Sequence, residues 1–397
     1  MEGYGEMGFA WLDYGPNQNR DGGSQEDSRV VFDLTRFVLE VEGEIPEAGL
    51  SFETEVEFEH GGTGAALELE YEEFGEFEQE VEKGGEVIVE EMYLRKTLGD
   101  RFAIKGGRFY VAMGLLSDEH RPTRFLSPTR PESETTVIPG VWDEMGLEGE
   151  YRHRWLRVRA QVVNGLDSTG FSSQYWVASG QQGRFEEIRA TDLAVVGRVD
   201  VRPVSDVLIG VSGYRGGTSR NRPKPDLVRQ CENESEDEVA PCGYVEAPVT
   251  IFDVHARVDL DPVLAQGVLL WGRLDNADDI SERNARLSNL LGVLRTPVAE
   301  EAFAAWAEVG VNVLHWSRFG ALNALSPFVR YEKYDTMYAT RTDLFDNPRF
   351  EKQVISAGVS YRYEDAVVVK SDFRRRTFGS DDFRPETGVN LSAGFEF

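Results

Sequence analysis

Cysteine is nearly absent: Cys231 and Cys242 are the pair present among 397 residues. A lone pair supplies no zinc site. Histidine is scarce, and its five residues are scattered, with no nucleophile–base motif beside them. Neither a metal nor a cofactor is expected from these residues. Long apolar runs are missing as well. Hydrophobic residues make up 41% of the chain, yet no run approaches the roughly 20 residues that a membrane helix needs, so a helical membrane protein is excluded. Positive charge is in deficit, with 42 Lys and Arg against 70 Asp and Glu, a net charge of −28. That balance argues against nucleic acid as a partner. No signal peptide is seen. Met1 runs straight into Glu-Gly-Tyr-Gly, so the chain reads as a mature form behind a replacement start methionine, any export signal having been left out.

What is present is alternation. In 387–397, Val389, Leu391, Ala393, Phe395 and Phe397 fall on one face, and Asn390, Ser392, Gly394 and Glu396 on the other. Leu50–His60 repeats the pattern, with Glu53, Glu55, Glu57 and Glu59 opposite Phe52, Val56 and Phe58. Such a strand suits a membrane barrel, apolar outside and polar inside, although an alternating strand also suits a soluble sandwich. Period-two stretches recur at 7–14, 29–43, 50–60, 87–97, 101–109, 143–151, 155–164, 191–202, 206–214, 249–260, 265–274, 302–315, 325–334, 352–363, 366–375 and 387–397. A short helix is expected near Ser281–Leu291, and a hairpin within the acidic segment 61–86. The connections alternate long and short throughout, a beat that a sandwich has no reason to keep. The expected fold is therefore all-β: one transmembrane antiparallel barrel of sixteen strands over 1–397, with short periplasmic turns and long extracellular loops.

The ending, on Phe395 and Phe397, resembles the C-terminal signal of bacterial outer-membrane barrels, which implies the barrel-assembly machinery as a partner. A second stretch narrows the resemblance. Glu91-Met92-Tyr93-Leu94-Arg95 followed by Gly107-Arg108-Phe109 and Gly114 is similar to the phosphate-selective porin O and P family, with Ala112-Met113 where that family has Pro-Phe. The resemblance implies a bacterial outer-membrane porin. It would be a homotrimer in lipid and lipopolysaccharide, its third loop folded into the pore, passing small hydrophilic solutes or anions. The family's anion-binding arginines do not map residue by residue onto this chain.

With apolar positions facing lipid, the lumen receives Glu144, Glu148 and Glu150 on the sixth strand and Arg157 and Arg159 on the seventh. Arg198 and Arg202 follow on the eighth, then Arg257, Arg273, Arg330, Arg362, Lys370 and Arg374. A charge on the lipid face at mid-depth would cost about 2–4 kcal/mol for Arg or Lys, so these belong inside. The segment 110–142 carries Arg121, Arg124 and Arg130; folded inward, it would set the narrowest cross-section, and left outside it is a surface loop. An acidic arc facing a broader basic arc predicts weak anion preference. Two other classes stay open. One is a structural or adhesive barrel working through its acidic loops 68–86 and 232–238. The other is an outer-membrane hydrolase built on Asp253 and His255.

Cys231 and Cys242 bracket a polar acidic segment, which suits a disulfide in an oxidising compartment and two free thiols in a reducing one. The barrel reading selects the disulfide, which would stabilise its small loop by at most a few kcal/mol. Alkylation without reductant, followed by intact-mass analysis, should find neither cysteine modified; two alkylated thiols would refute the pairing.

Overall fold

The computed structural model describes the chain except for residues 17–25, 63–84, 117–119, 183–187, 189, 220–244, 292–295, 318–321, 342–343 and 365. Cys231, Cys242 and most of the acidic segments lie outside the described residues. Sixteen strands are present: β1 Glu2–Pro16, β2 Glu26–Ile45, β3 Leu50–Glu59, β4 Glu86–Leu98, β5 Phe102–Tyr110, β6 Asp143–His153, β7 Leu156–Asn164 and β8 Leu193–Val201. They continue with β9 Val207–Gly216, β10 Val249–Leu260, β11 Val263–Leu274, β12 Glu301–Val311, β13 Asn323–Ala339, β14 Glu351–Tyr363, β15 Val367–Phe378 and β16 Glu386–Glu396. Each pairs antiparallel with its sequence neighbours, and β1 pairs with β16, so the sheet closes with no edge. Among the described residues two α-helices interrupt the pattern, α1 Glu132–Val137 and α2 Ala277–Leu291.

Alternation decides what faces where. Leu147 is 63% exposed while Glu148 beside it is 4% exposed. Val195 and Leu269 likewise point out, and Arg198 and Gln266 point in. The outer wall is thus an apolar band, with Phe252, Val254, Leu269, Val329, Ile355 and Phe373 among its exposed residues. Short turns such as Pro46–Gly49 gather at the end where both termini lie. One strand is irregular in a consequential way. Glu55 pairs with Glu91 and Val56 with Val89, leaving Glu90 as an extra residue in β4. This bulge turns two successive carboxylates, Glu90 and Glu91, into the interior.

The seam is fixed by backbone bonds running both ways between Gly3 and Phe397, at 3.0 and 2.9 Å. Phe397 stacks on Phe37 and on Phe395, with centroids 6.3 and 6.2 Å apart. Their rings cover glycines of β1: a Cβ on Gly5 would sit 2.7 Å from Cζ of Phe395. Replacing Gly5→Val should therefore overpack the seam by about 1–3 kcal/mol. The expected result is a heat-modifiable band on detergent gels that converts at lower temperature than wild type, with Gly5→Ala between them.

Candidate functional site

The interior is where sequence and structure part most. The segment joining β5 to β6, residues 111–142, enters the barrel and carries an apolar cluster with it. Val111, Ala112, Met113, Leu115, Phe125, Val137, Ile138 and Trp142 are all buried, packed with Val163, Val196, Ile251, Leu270 and Trp306 of the inner wall. Residues of the next long connection join them: Phe171, Trp176 and Val177 are buried too, and the Trp176 ring occupies the space above Gly272 of β11.

A backbone taken out of water needs a partner for every N–H and C=O. Here the charged wall supplies them. Asp253 accepts the N–H of Gly114 at 3.0 Å, and Arg198 donates to the Gly114 carbonyl at 2.6 Å. Glu308 accepts the N–H groups of Leu126 and Ser127 at 2.9 and 3.3 Å. Glu332 accepts that of Ser133 at 2.8 Å, and Gln161 that of Ala112 at 2.9 Å. Cations take the carbonyls. Arg257 donates to Arg124 O at 3.1 Å, Lys370 to Ser127 O at 3.1 Å, and Arg330 to Thr129 O at 2.7 Å. Gly114 itself stands at φ +70°, and a Cβ there would lie 2.3 Å from Oε1 of Glu134, so the close approach needs glycine.

Glu134, at the centre of α1, is bonded by the N–H groups of Leu115 and Leu116 at 2.9 and 3.1 Å and by Nε1 of Trp306 at 2.7 Å. Burial pushes its carboxyl up, and those three donors pull it back by less. The docked segment thus takes up a proton more readily than a free one. Docking strengthens as pH falls from the raised value toward the ordinary carboxylate range.

These partners redefine the residues read from sequence. Arg198, Arg257, Arg330 and Lys370 face inward, but their donors are turned to the segment and not to an open pore. Arg374 and Arg376 both bind Glu132, which also accepts the Tyr334 hydroxyl. Glu144 is 1% exposed. Arg159 is buried as well, while Arg202 lies one residue past β8, exposed at the short-turn rim. Within the segment, Arg121 reaches across to Glu40 of β2 at 2.5 Å, Arg130 holds Gly140 O at 2.6 Å, and the Arg124 side chain is exposed. Sequence reading passed over Glu308 and Glu332. Their signal was available: Glu308 sits on the inward parity of β12, opposite Arg330 in the register with β13.

Open space remains against β2 to β7. Near the long-loop end is a cavity of about 410 Å³ whose lining includes Glu57, Glu59, Glu90, Arg108, Arg130 and Asp143. Near the short-turn end is one of about 470 Å³, with Glu42, Glu44, Glu53, Glu148 and Glu150 facing Arg95, Lys105, Arg152 and Arg157. There Glu150 gathers Arg157 at 2.5 Å and Arg95 and Arg152 at 3.1 Å, and Lys105 lies 3.5 Å from Glu148 and 4.4 Å over the Tyr93 ring. The pair raised as a hydrolase, Asp253 and His255, is locked. His255 is 1% exposed, its Nδ1 lies 2.7 Å from Asp253 and its Nε2 2.8 Å from Asp200, so neither ring nitrogen is left to serve a nucleophile.

No family model matches the chain. An uncharacterized protein of Aquifex aeolicus (strain VF5) is 24% identical over 380 residues, covering 95% of this chain and 75% of that one. Among solved structures, an anion-selective porin from Comamonas acidovorans aligns at a TM-score of 0.55 and 9% identity, over 100% of this chain and 98% of that one. Salmonella typhi OmpF in complex with daunomycin gives 0.55 at 12% identity, over 100% and 96%. Pseudomonas putida OprB gives 0.55 at 8%, over 100% and 94%. At these identities the likeness is one of fold, the sixteen-stranded porin barrel. It does not reach the narrower resemblance to phosphate-selective porins.

Removing the hub of the inward segment should release it. Glu308→Ala strands two buried N–H groups, at about 1–3 kcal/mol for each unsatisfied group, and removes one of the two carboxylates beside Arg330. The expected outcome is an intact barrel whose residues 121–133 become cleavable by an added protease; cleavage no faster than in wild type would show that the wall carboxylates do not hold the segment.

Proposed function

We propose that this chain is a bacterial outer-membrane channel for passive diffusion of small hydrophilic solutes. The apolar outer band and the porin-like barrel support the membrane assignment. The observation that carries the channel reading is the pair of charged cavities along β2 to β7, one toward each end of the barrel. A pore reduced to that side is narrow, so a small conductance is expected.

Selectivity follows from which charges still face the openings. The anion preference expected from the arginines of β7 to β15 loses support, because Arg198, Arg257, Arg330, Lys370 and Arg374 are committed to the inward segment. At the long-loop cavity, four carboxylates (Glu57, Glu59, Glu90, Asp143) face two guanidinium groups (Arg108, Arg130). At the other, five carboxylates face four cations. Fixed charges at close quarters set the selectivity of a pore, and here they favour cations weakly. Of the residues named from sequence as lining or constricting the pore, Arg130 is on the wall of the first cavity, and Arg157 and Glu148 are on that of the second.

A second reading has its own observation. An apolar cluster inside the lumen suits a plugged barrel whose work is structural or adhesive. Planar-bilayer recording separates the two. The channel reading expects discrete small openings with a reversal potential on the cation side in a salt gradient, shifted further by Arg157→Ala and back by Glu148→Gln. Anion preference in the wild type would overturn the selectivity argument, and absence of any opening would favour the plug.

A further inference from the structure

Glu55 of β3, Glu90 of β4 and His120 of the inward segment meet inside the barrel. One ligand atom from each lies within 4.8 Å of the others, and all three residues are buried. Nε2 of His120 is 3.6 Å from Oε2 of Glu90. The three are far apart in sequence, and no local motif announces them. Glu90 is present because of the bulge in β4, which turns an additional carboxylate inward.

Two groups around the cluster point to a ligand. Tyr4, 1% exposed, meets the His120 ring edge-on with centroids 6.0 Å apart. Its hydroxyl lies in electrostatic reach of Glu55, Glu90 and Glu57, yet it has no hydrogen-bond partner among the described residues. A buried hydroxyl without a partner costs about 1–3 kcal/mol, and water on a bound ion would satisfy it. Tyr110 orients the site from the other side: its hydroxyl donates to Oε2 of Glu90 at 2.6 Å, and its ring packs edge-on against His120 at 5.5 Å. A hydroxyl that donates to a carboxylate in this way holds it in place for an ion. The nearby Glu57 has its own cation, Arg36, at 3.3 Å.

We propose that Glu55, Glu90 and His120 bind a divalent first-row transition-metal ion, with Zn²⁺ the natural probe. Bonds of about 2.0–2.2 Å bring ligand atoms within roughly 4.4 Å of one another, so the trio needs only small side-chain rotations to close on the ion. The spacing alone would also suit Ca²⁺, whose bonds run to about 2.6 Å, but an imidazole ligand selects the transition ion. Access comes from two sides: Glu90 lines the cavity of about 410 Å³, and His120 lines a neighbouring one of about 260 Å³. An ion held there staples the inward segment to β3 and β4.

The test uses the full chain folded in detergent, stripped with EDTA, and titrated with Zn²⁺ by calorimetry and metal analysis in the presence of millimolar Ca²⁺. The expected result is one Zn²⁺ per chain, with affinity lowered at least tenfold by His120→Asn and by Glu90→Gln and unchanged by Glu59→Gln on the same cavity wall. Heat-modifiability on gels establishes that each variant is a closed barrel. If a variant fails that check, histidine modification of the wild type decides, because Zn²⁺ should protect His120 from diethylpyrocarbonate. No retained Zn²⁺, equal binding by the variants, displacement by Ca²⁺, or no protection of His120 would each overturn the site.

Discussion

A polypeptide segment packed against the inner wall of a barrel is cut off from bulk water where it is buried, and that constraint governs much of the interior of this protein. The inner wall answers it with ionic side chains used as backbone partners, carboxylates for N–H groups and cations for carbonyls. Charges that would be prohibitive on the lipid side are thereby stabilised on the inner one, through bonds to peptide groups as much as to each other. The apolar cluster of the same segment adds burial on top. Charge pattern on a barrel wall is therefore ambiguous evidence of transport: the same arginines that suggest a path for anions can be structural fasteners.

This ambiguity marks what the sequence could and could not convey. The barrel was legible because period-two alternation and loop length are local properties. Leu147 outward and Glu148 inward follow from parity alone. Strand ends were less so, as at β13, which runs on to Ala339 past the point where its alternation fades. The interior was not legible, because its bonds join residues far apart. Arg198 and Gly114, or Glu308 and Leu126, share no local signal. Arg202 shows the limit of parity itself: it lies on the inward phase but beyond the strand end, where phase no longer means enclosure.

The cross-section that results is asymmetric. The bonds that anchor the segment fall mostly on β8 to β15, while the two cavities with the densest carboxylate lining lie against β2 to β7. The bulge at Glu90 belongs to that cavity side, where an irregular strand can aim side chains without disturbing the anchoring one. Anchoring bonds and the two charged cavities thus fall mainly on different arcs of one wall.

The bonds of the inward segment also dictate an order of events during folding. Ser127 bonds to Asp372, 245 residues further along the chain, and Thr123 to Glu396, 273 residues further. Contacts of such separation form late, after most of the loop-closure entropy has been lost. The segment cannot be fully seated before the wall is complete, since some of its anchoring residues lie on the strands that close the circle. An open sheet awaiting its final strands leaves Ser127 and Thr123 without the carboxylates that they bond in the closed barrel.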